Sequence, residues 1–317
     1  MSERLAHQLT AAQLDVEALA AASRGFVMRS SPSVAVLGPA VASAAEVSRS
    51  VQVGVTLAGG SSVTYDLAVT ELTTGGDSVD SSRENESPPV VFLHGFLGAA
   101  DDWLPVMAAL QAAGRRCVAI DLPAHGDSGV SGTGQPLPPD AYSAEAVVEA
   151  LAQLLKQLCP VPCDLVGYSL GGRLALQLAT RHPHLVARCA VVGASPGLRD
   201  STAAAQRAAA DDALAATLLR LGRRGFVEHW YGQPMWASLR QHPRFPAVKA
   251  RRQQGRSDEQ EEDAAVAALA AALSGLSVGR QPSVWDDLQS LSAPLLVRPA
   301  WPILPAELPR TAVPCDS

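Results

Sequence analysis

Lysine is almost missing from this 317-residue chain: Lys156 and Lys249 are its only lysines, and every other basic side chain apart from histidine is arginine. Together with the richness in alanine, that pattern reads as coding bias. There is no excess of positive charge either. The formal net charge is −6 and the isoelectric point about 5.6, which gives no reason to expect nucleic acid or an anionic membrane as a partner. No apolar run approaches the length of a membrane-spanning helix. The five cysteines are scattered and odd in number, and Cys159-Pro-Val-Pro-Cys163 has no second ligand pair elsewhere. Zinc is therefore not expected, and reduced thiols are the default. Histidine is missing from the end of the chain, since none follows His242. What the chain does have is apolar side chains, 47% of the total, enough for one large α/β domain with an inserted subdomain.

One stretch organises the rest, Cys163 to Gln177. The apolar pair Leu165-Val166 leads into Gly167-Tyr168-Ser169-Leu170-Gly171, and a helical pattern follows at once. This is the G-x-S-x-G nucleophile elbow in its strand–turn–helix setting. The two glycines let the backbone turn past Ser169, and the helix behind it offers unpaired N–H groups to a developing anion. A chance glycine-rich turn with a capping serine is the competing reading, and the flanking strand and helix weigh against it. Upstream, Val90 to Leu93 read as a buried strand ending in His94-Gly95-Phe96. In an α/β-hydrolase fold that loop supplies one oxyanion-hole N–H, here that of Phe96, and Leu170 supplies the other. His94 supports the loop rather than acting as a base.

Residues 1–50 carry no strong core pattern and read as a transit-like leader or an interdomain tail. Val51 to Leu57 and Val63 to Val69 alternate around Gly59-Gly60, a hairpin signal, and Thr73 to Ser87 loop away. Strands then alternate with helices: a helix over 101–113, a strand over 117–121, a helix over 144–158, the elbow strand and its helix, and a strand over 189–192. That alternation predicts a mostly parallel sheet covered on both faces. The core is thus expected over 51–198, a helical lid over 199–277, a return to the core over 278–297 and a divergent tail over 298–317. The acidic run Asp258 to Asp263 reads as a solvated loop or helix start.

Several segments together resemble one family, the succinyl-hydroxycyclohexadiene-carboxylate synthases, α/β-hydrolase-fold lyases of menaquinone and phylloquinone synthesis. They are Leu93-His-Gly-Phe-Leu-Gly98 with Asp102-Trp103, Asp121-Leu-Pro-Ala-His-Gly-Asp-Ser128, Gly167-Tyr-Ser-Leu-Gly-Gly-Arg173 and Ser195-Pro-Gly-Leu198. Two more complete the set, Trp230-Tyr-Gly-Gln-Pro-Met-Trp-Ala-Ser-Leu239 and Gly279-Arg-Gln-Pro-Ser-Val-Trp285. In plants and algae such a domain resembles the C-terminal part of a fused plastid protein. The resemblance implies elimination of pyruvate from a small anionic ring substrate, with no cofactor and no metal. It implies Ser169 as the base, the N–H groups of Phe96 and Leu170 for the enolate oxygen, and Arg173, Arg207 and Arg251 as carboxylate clamps. Tyr168 and Trp230 would wall the pocket. Each lid arginine could equally be a solvated surface residue, and packing alone could explain Tyr168 and Trp230. The resemblance further implies a chloroplast location, with the cytoplasm as the alternative, and other domains or enzymes of the pathway as partners.

The pattern then breaks. In this fold the acid of the triad follows the seventh strand and the histidine follows the eighth. Here the seventh strand begins at Pro294 to Val297, the only later aspartate is Asp316, and prolines at 299, 302, 305 and 309 cannot enter a central strand. The expectation is a chain without triad acid and base, and a sixth strand, Cys189 to Val192, left as a poorly covered edge. A generic serine esterase of the same fold, or a non-catalytic variant, are the alternatives to the lyase.

Overall fold

The computed structural model describes residues 44–74, 87–128, 137–255 and 259–298. The chain enters through an antiparallel hairpin, in which β1 (Ala44–Thr56) pairs with β2 (Ser62–Thr74) along its full length. Gly60 supplies the left-handed turn residue at φ 82°. β1 begins at Ala44 rather than Val51. Residues 46–50 are all exposed, so backbone pairing forms this part of the strand without any alternation of apolar side chains. Thr73 and Thr74, expected in a loop, continue β2. The rest of the expected leader (1–43) and of that loop (75–86) lies outside the described residues.

Five short strands complete the sheet: β3 (Val90–Leu93), β4 (Cys117–Ile120), β5 (Cys163–Tyr168), β6 (Val186–Val192) and β7 (Leu295–Arg298). Their order is β1-β2-β4-β3-β5-β6-β7, with every pair from β4 onward parallel. β3 and β4 are buried throughout. Alternate residues feed separate cores: Val91 and Leu93 join one, while Val90 and Phe92 join Trp103 and Met107 in the other. A strand apolar on both faces is what a parallel sheet between two helical layers requires.

The covering helices are α1 (Leu104–Ala112), α2 (Ala144–Leu158) and α3 (Leu170–Arg181). α1 starts later than the sequence suggests because Ala100–Trp103 wind as a 3-10 turn. Ser143 caps α2 by accepting from the Ala146 N–H at 3.2 Å. Between β6 and β7 the described residues form four α-helices and no strand: α4 (Ser201–Gly232), α5 (Ala237–Arg240), α6 (Phe245–Gln253) and α7 (Glu259–Gly275). Asp200 caps α4 through the Ala203 N–H at 2.7 Å, and the helix breaks at Gly222, where φ is 64°. Glu259 to Asp263 of the acidic run open α7, and Asp258 lies outside the described residues. These helices form their own core around Leu218, Phe226, Val227 and Leu269, and Leu97 of the loop after β3 belongs to it. The inserted helices therefore pack on the loop that follows β3.

The expectation for the sheet edge is wrong. β6 is paired on its outer side by β7, from Cys189 opposite Leu295 to Val192 opposite Arg298. The Gly193 N–H extends the ladder to the Arg298 carbonyl at 2.8 Å. Four residues ahead of the first proline suffice for this. β7 is the edge of the described sheet, with Leu295 and Val297 packed on the core and Leu296 exposed. Residues 299–317 lie outside the described residues.

Candidate active site

Ser169 sits between β5 and α3 with φ 51° and ψ −110°. A side chain held there costs about 1–3 kcal/mol, and the surroundings must enforce it. They do so by close approach. A Cβ on Gly167 would lie 2.4 Å from the Gly171 carbonyl oxygen, and one on Gly171 would lie 2.3 Å from that of Leu93. The Ser169 N–H donates to Val192 O at 2.8 Å, and the Gly171 N–H to His94 O at 3.0 Å, so the elbow is bonded to the end of β6 and to the loop after β3. The N–H groups of Phe96 and Leu170 have no acceptor among the described residues.

His94 is fully buried, and both ring nitrogens are in use. Nδ1 donates to the Gly95 carbonyl at 2.8 Å, and Nε2 accepts from the Leu122 N–H at 3.0 Å. Burial lowers its pKa against the pull of Asp121, so the ring is neutral and braces the loop. His125 lies 5.1 Å away, centroid to centroid, and donates from Nδ1 to Pro123 O at 2.9 Å. Burial brings its pKa down to about 3. Among the described residues, no side chain hydrogen-bonds the Ser169 hydroxyl.

Aromatic rings pack beside the loop after β3. Trp230 on α4 meets Phe96 at 5.4 Å and stacks on Phe226 at 5.9 Å, which joins the inserted helices to that loop. Tyr168 is half-buried, and its pKa rises to about 12 through desolvation and the nearby Tyr231.

The arginines fall into two pairs. Arg173 donates from Nη1 to Leu276 O at 2.9 Å and to Gln281 Oε1 at 2.6 Å, both neutral acceptors. Burial, then the neighbouring Arg207, lower its pKa to about 10, which leaves it charged at neutral pH. Arg207 is anchored by its Nε to both oxygens of Asp211 at 3.0 Å, and Asp211 also accepts from Ser277 at 2.6 Å. On the other side, Arg251 donates to Asp102 Oδ1 at 2.6 Å, and Arg252 to Oδ2 of the same carboxylate. Asp102 accepts from the Ala99 N–H as well, at 3.2 Å. Burial alone would lower the pKa of Arg252, but Asp102 and Tyr231 outweigh it and raise it.

Every expected site residue is thus in the structure, but Arg207 and Arg251 are already paired with protein carboxylates rather than standing free. Sequence reasoning missed Arg252, Asp102 and Tyr231. The available signal was a carboxylate in the first turn before an apolar helix, with two adjacent arginines in the lid. Among the described residues no group of histidine, cysteine, aspartate and glutamate side chains is placed to hold a metal ion.

A family profile described as the alpha/beta hydrolase fold matches residues 88–274. The chloroplastic protein PHYLLO of Arabidopsis thaliana is 37% identical over 211 residues, 66% of this chain but only 12% of that protein. The 2-succinyl-6-hydroxy-2,4-cyclohexadiene-1-carboxylate synthase of Salmonella typhimurium is 32% identical over 208 residues, 66% of this chain and 75% of the relative. Among solved structures, MenH from S. aureus superposes with a TM-score of 0.56 at 24% identity, covering 68% of this chain and 76% of that one. At that identity the superposition speaks for the fold alone. Fold, elbow and relatives together mean that this chain belongs to the alpha/beta hydrolase family and, within it, to the 2-succinyl-6-hydroxy-2,4-cyclohexadiene-1-carboxylate synthase family.

Proposed function

We propose that this chain carries the pyruvate-eliminating site of menaquinone or phylloquinone synthesis, acting without a cofactor on a small ring substrate bearing several carboxylates. The observation that carries the reading is the strained Ser169 near two N–H groups without acceptors among the described residues, in a site whose cations are arginines. Elimination needs a base for an acidic ring proton and a resting place for the enolate charge. Ser169 acts as the base once its own proton is drawn off, and the N–H groups of Phe96 and Leu170 receive the enolate oxygen. Each such donor contributes about 3–4 kcal/mol to lowering the barrier. Arg173, Arg207 and Arg251 bind carboxylates, a task suited to planar bidentate donors. Tyr168 and Trp230 exclude water.

Ser169 has no histidine partner among the described residues, and we infer that the 317-residue chain turns over slowly. Without that partner the hydroxyl of Ser169 is a poor base, so the rate falls well below that of a complete triad. A plastid location, and association with other enzymes of the pathway, extend the same reading. No helix among the described residues is long and apolar enough to cross a membrane.

The deciding experiment offers the purified chain the pathway substrate and a p-nitrophenyl ester side by side. The lyase reading expects pyruvate and negligible ester cleavage. Ester cleavage without pyruvate would establish the generic esterase instead, and silence on both substrates would establish the non-catalytic variant.

A further inference from the structure

The segment Gly279-Arg-Gln-Pro282 closes on Arg173. After α7 the chain turns through Leu276 to Pro282 and packs tightly on α4, where a Cβ on Gly279 would lie 2.2 Å from the Ala204 carbonyl oxygen. The Gln281 N–H donates to Ser277 O at 3.1 Å, and the Ser277 hydroxyl to Asp211 at 2.6 Å. Gln177 Nε2 donates to Pro282 O at 3.1 Å. Gln281 is thereby fixed at 7% exposure, with its Oε1 2.6 Å from Arg173 Nη1.

A guanidinium carries donors only, so the amide faces Arg173 with its oxygen. Its Nε2 is then left buried, with no acceptor among the described residues. A buried amide with half of its capacity unused costs stability, so packing does not account for glutamine at this position. The charge pattern does. Arg207, Arg251 and Arg252 each meet a protein carboxylate. Arg173, one turn beyond Ser169 on α3, meets the Leu276 carbonyl and the Gln281 amide, and no carboxylate among the described residues. Both acceptors orient the guanidinium and leave its positive charge uncompensated. A half-buried cation in that state favours an anionic partner.

We propose that Gln281 is a positioning residue that also sets specificity: it holds Arg173 toward a substrate carboxylate, and its neutrality leaves that cation free to pair. The inference rests on the proposed reading of the site as one for a ring bearing carboxylates. A glutamate would offer the same oxygen at the same reach but would satisfy the charge of Arg173 from within the protein, so a ligand would have to displace or share it. A methionine would fill the volume and leave the guanidinium to the Leu276 carbonyl.

The test titrates the full chain with isophthalate, a ring dicarboxylate, by calorimetry, with melting temperatures recorded alongside. Gln281→Glu keeps the bond to Arg173 and should melt within a few degrees of the parent. It should nevertheless bind isophthalate roughly 10–100-fold more weakly, the scale of a charged hydrogen bond. A merely structural glutamine predicts the reverse: parent-like affinity in Gln281→Glu, and a loss in Gln281→Met that tracks a lower melting temperature. That pattern overturns the proposal. If Arg173→Met abolishes binding while Gln281→Glu leaves it intact, the inference falls and the proposed function stands. If the parent itself ignores isophthalate, the inference falls together with the carboxylate site on which it rests. Should the glutamate variant fail to fold, Gln281→Met decides, measured at a temperature where it is fully folded. Weaker binding there supports the proposal, and unchanged affinity overturns it.

Discussion

Replacing Asp102 should loosen the helices inserted between β6 and β7 and the loop after β3 together. This one carboxylate accepts from Arg251 and Arg252 on α6 and from the Ala99 N–H at the end of the loop after β3. Its side chain is 7% exposed and that of Arg252 11%, so Asp102→Ala leaves a guanidinium buried without its counter-charge. Breaking a buried pair from one side costs about 3–5 kcal/mol. The Arg251 contact adds little, because that side chain is 41% exposed and such pairs are worth about 0–1 kcal/mol. Asp102→Asn keeps an acceptor and should cost less, about 2–4 kcal/mol. For a domain this size each kcal/mol moves the melting temperature by about 2–4 °C, so the alanine variant should melt roughly 6–20 °C lower. Urea titration with an unchanged slope is the assay. A double-mutant cycle with Arg252→Met should show a coupling of about 1–3 kcal/mol. A loss below about 1 kcal/mol, or strict additivity in the cycle, would mean that the pair is solvated and does not fasten the lid.

Three further outcomes follow from the same geometry. Arg173→Met should weaken binding of a carboxylate-bearing ligand by roughly 10–100-fold, the scale of a charged hydrogen bond, and leave a neutral ester untouched; equal losses by titration calorimetry refute the role. Ser169→Gly removes the strain at φ 51° and should raise stability by about 1 kcal/mol while abolishing pyruvate release, whereas a lower melting temperature would deny that the elbow is strained. Acid should destabilise the fold through His125, whose pKa is about 3 folded against 6.5 unfolded. The unfolded chain takes up a proton that the folded chain refuses, so stability is fully present above pH 6.5 and is lost as pH falls toward about 3. The slope approaches ~1.36 kcal/mol per pH unit. His125→Asn should flatten it, and the difference from wild type separates it from Asp121, whose raised pKa acts in the opposite sense. An identical slope in both proteins contradicts the assignment.

The elbow and the parallel core were legible because their signals are local. Five residues from Gly167 to Gly171 dictate the turn, and Val90 to Leu93 are apolar on both faces. The first part of β1 was not legible, since Glu46 to Ser50 present no apolar face and are strand only because β2 offers a partner backbone. β7 was underrated for a related reason: prolines argue against a long strand but say nothing about the four residues before them. The pairing of Asp102 with Arg251 and Arg252 spans about half the chain, and no periodicity encodes a contact of that separation. The break of α4 at Gly222 was invisible in an alanine-rich helical pattern that continues on both sides.

The most direct test of the account is pyruvate release from the pathway substrate by the 317-residue chain and its Ser169→Ala variant, followed with lactate dehydrogenase. The account predicts slow but measurable release by the parent chain and none above background by the variant. Release that survives Ser169→Ala unchanged would contradict it, because the reaction would then not be centred on the elbow serine.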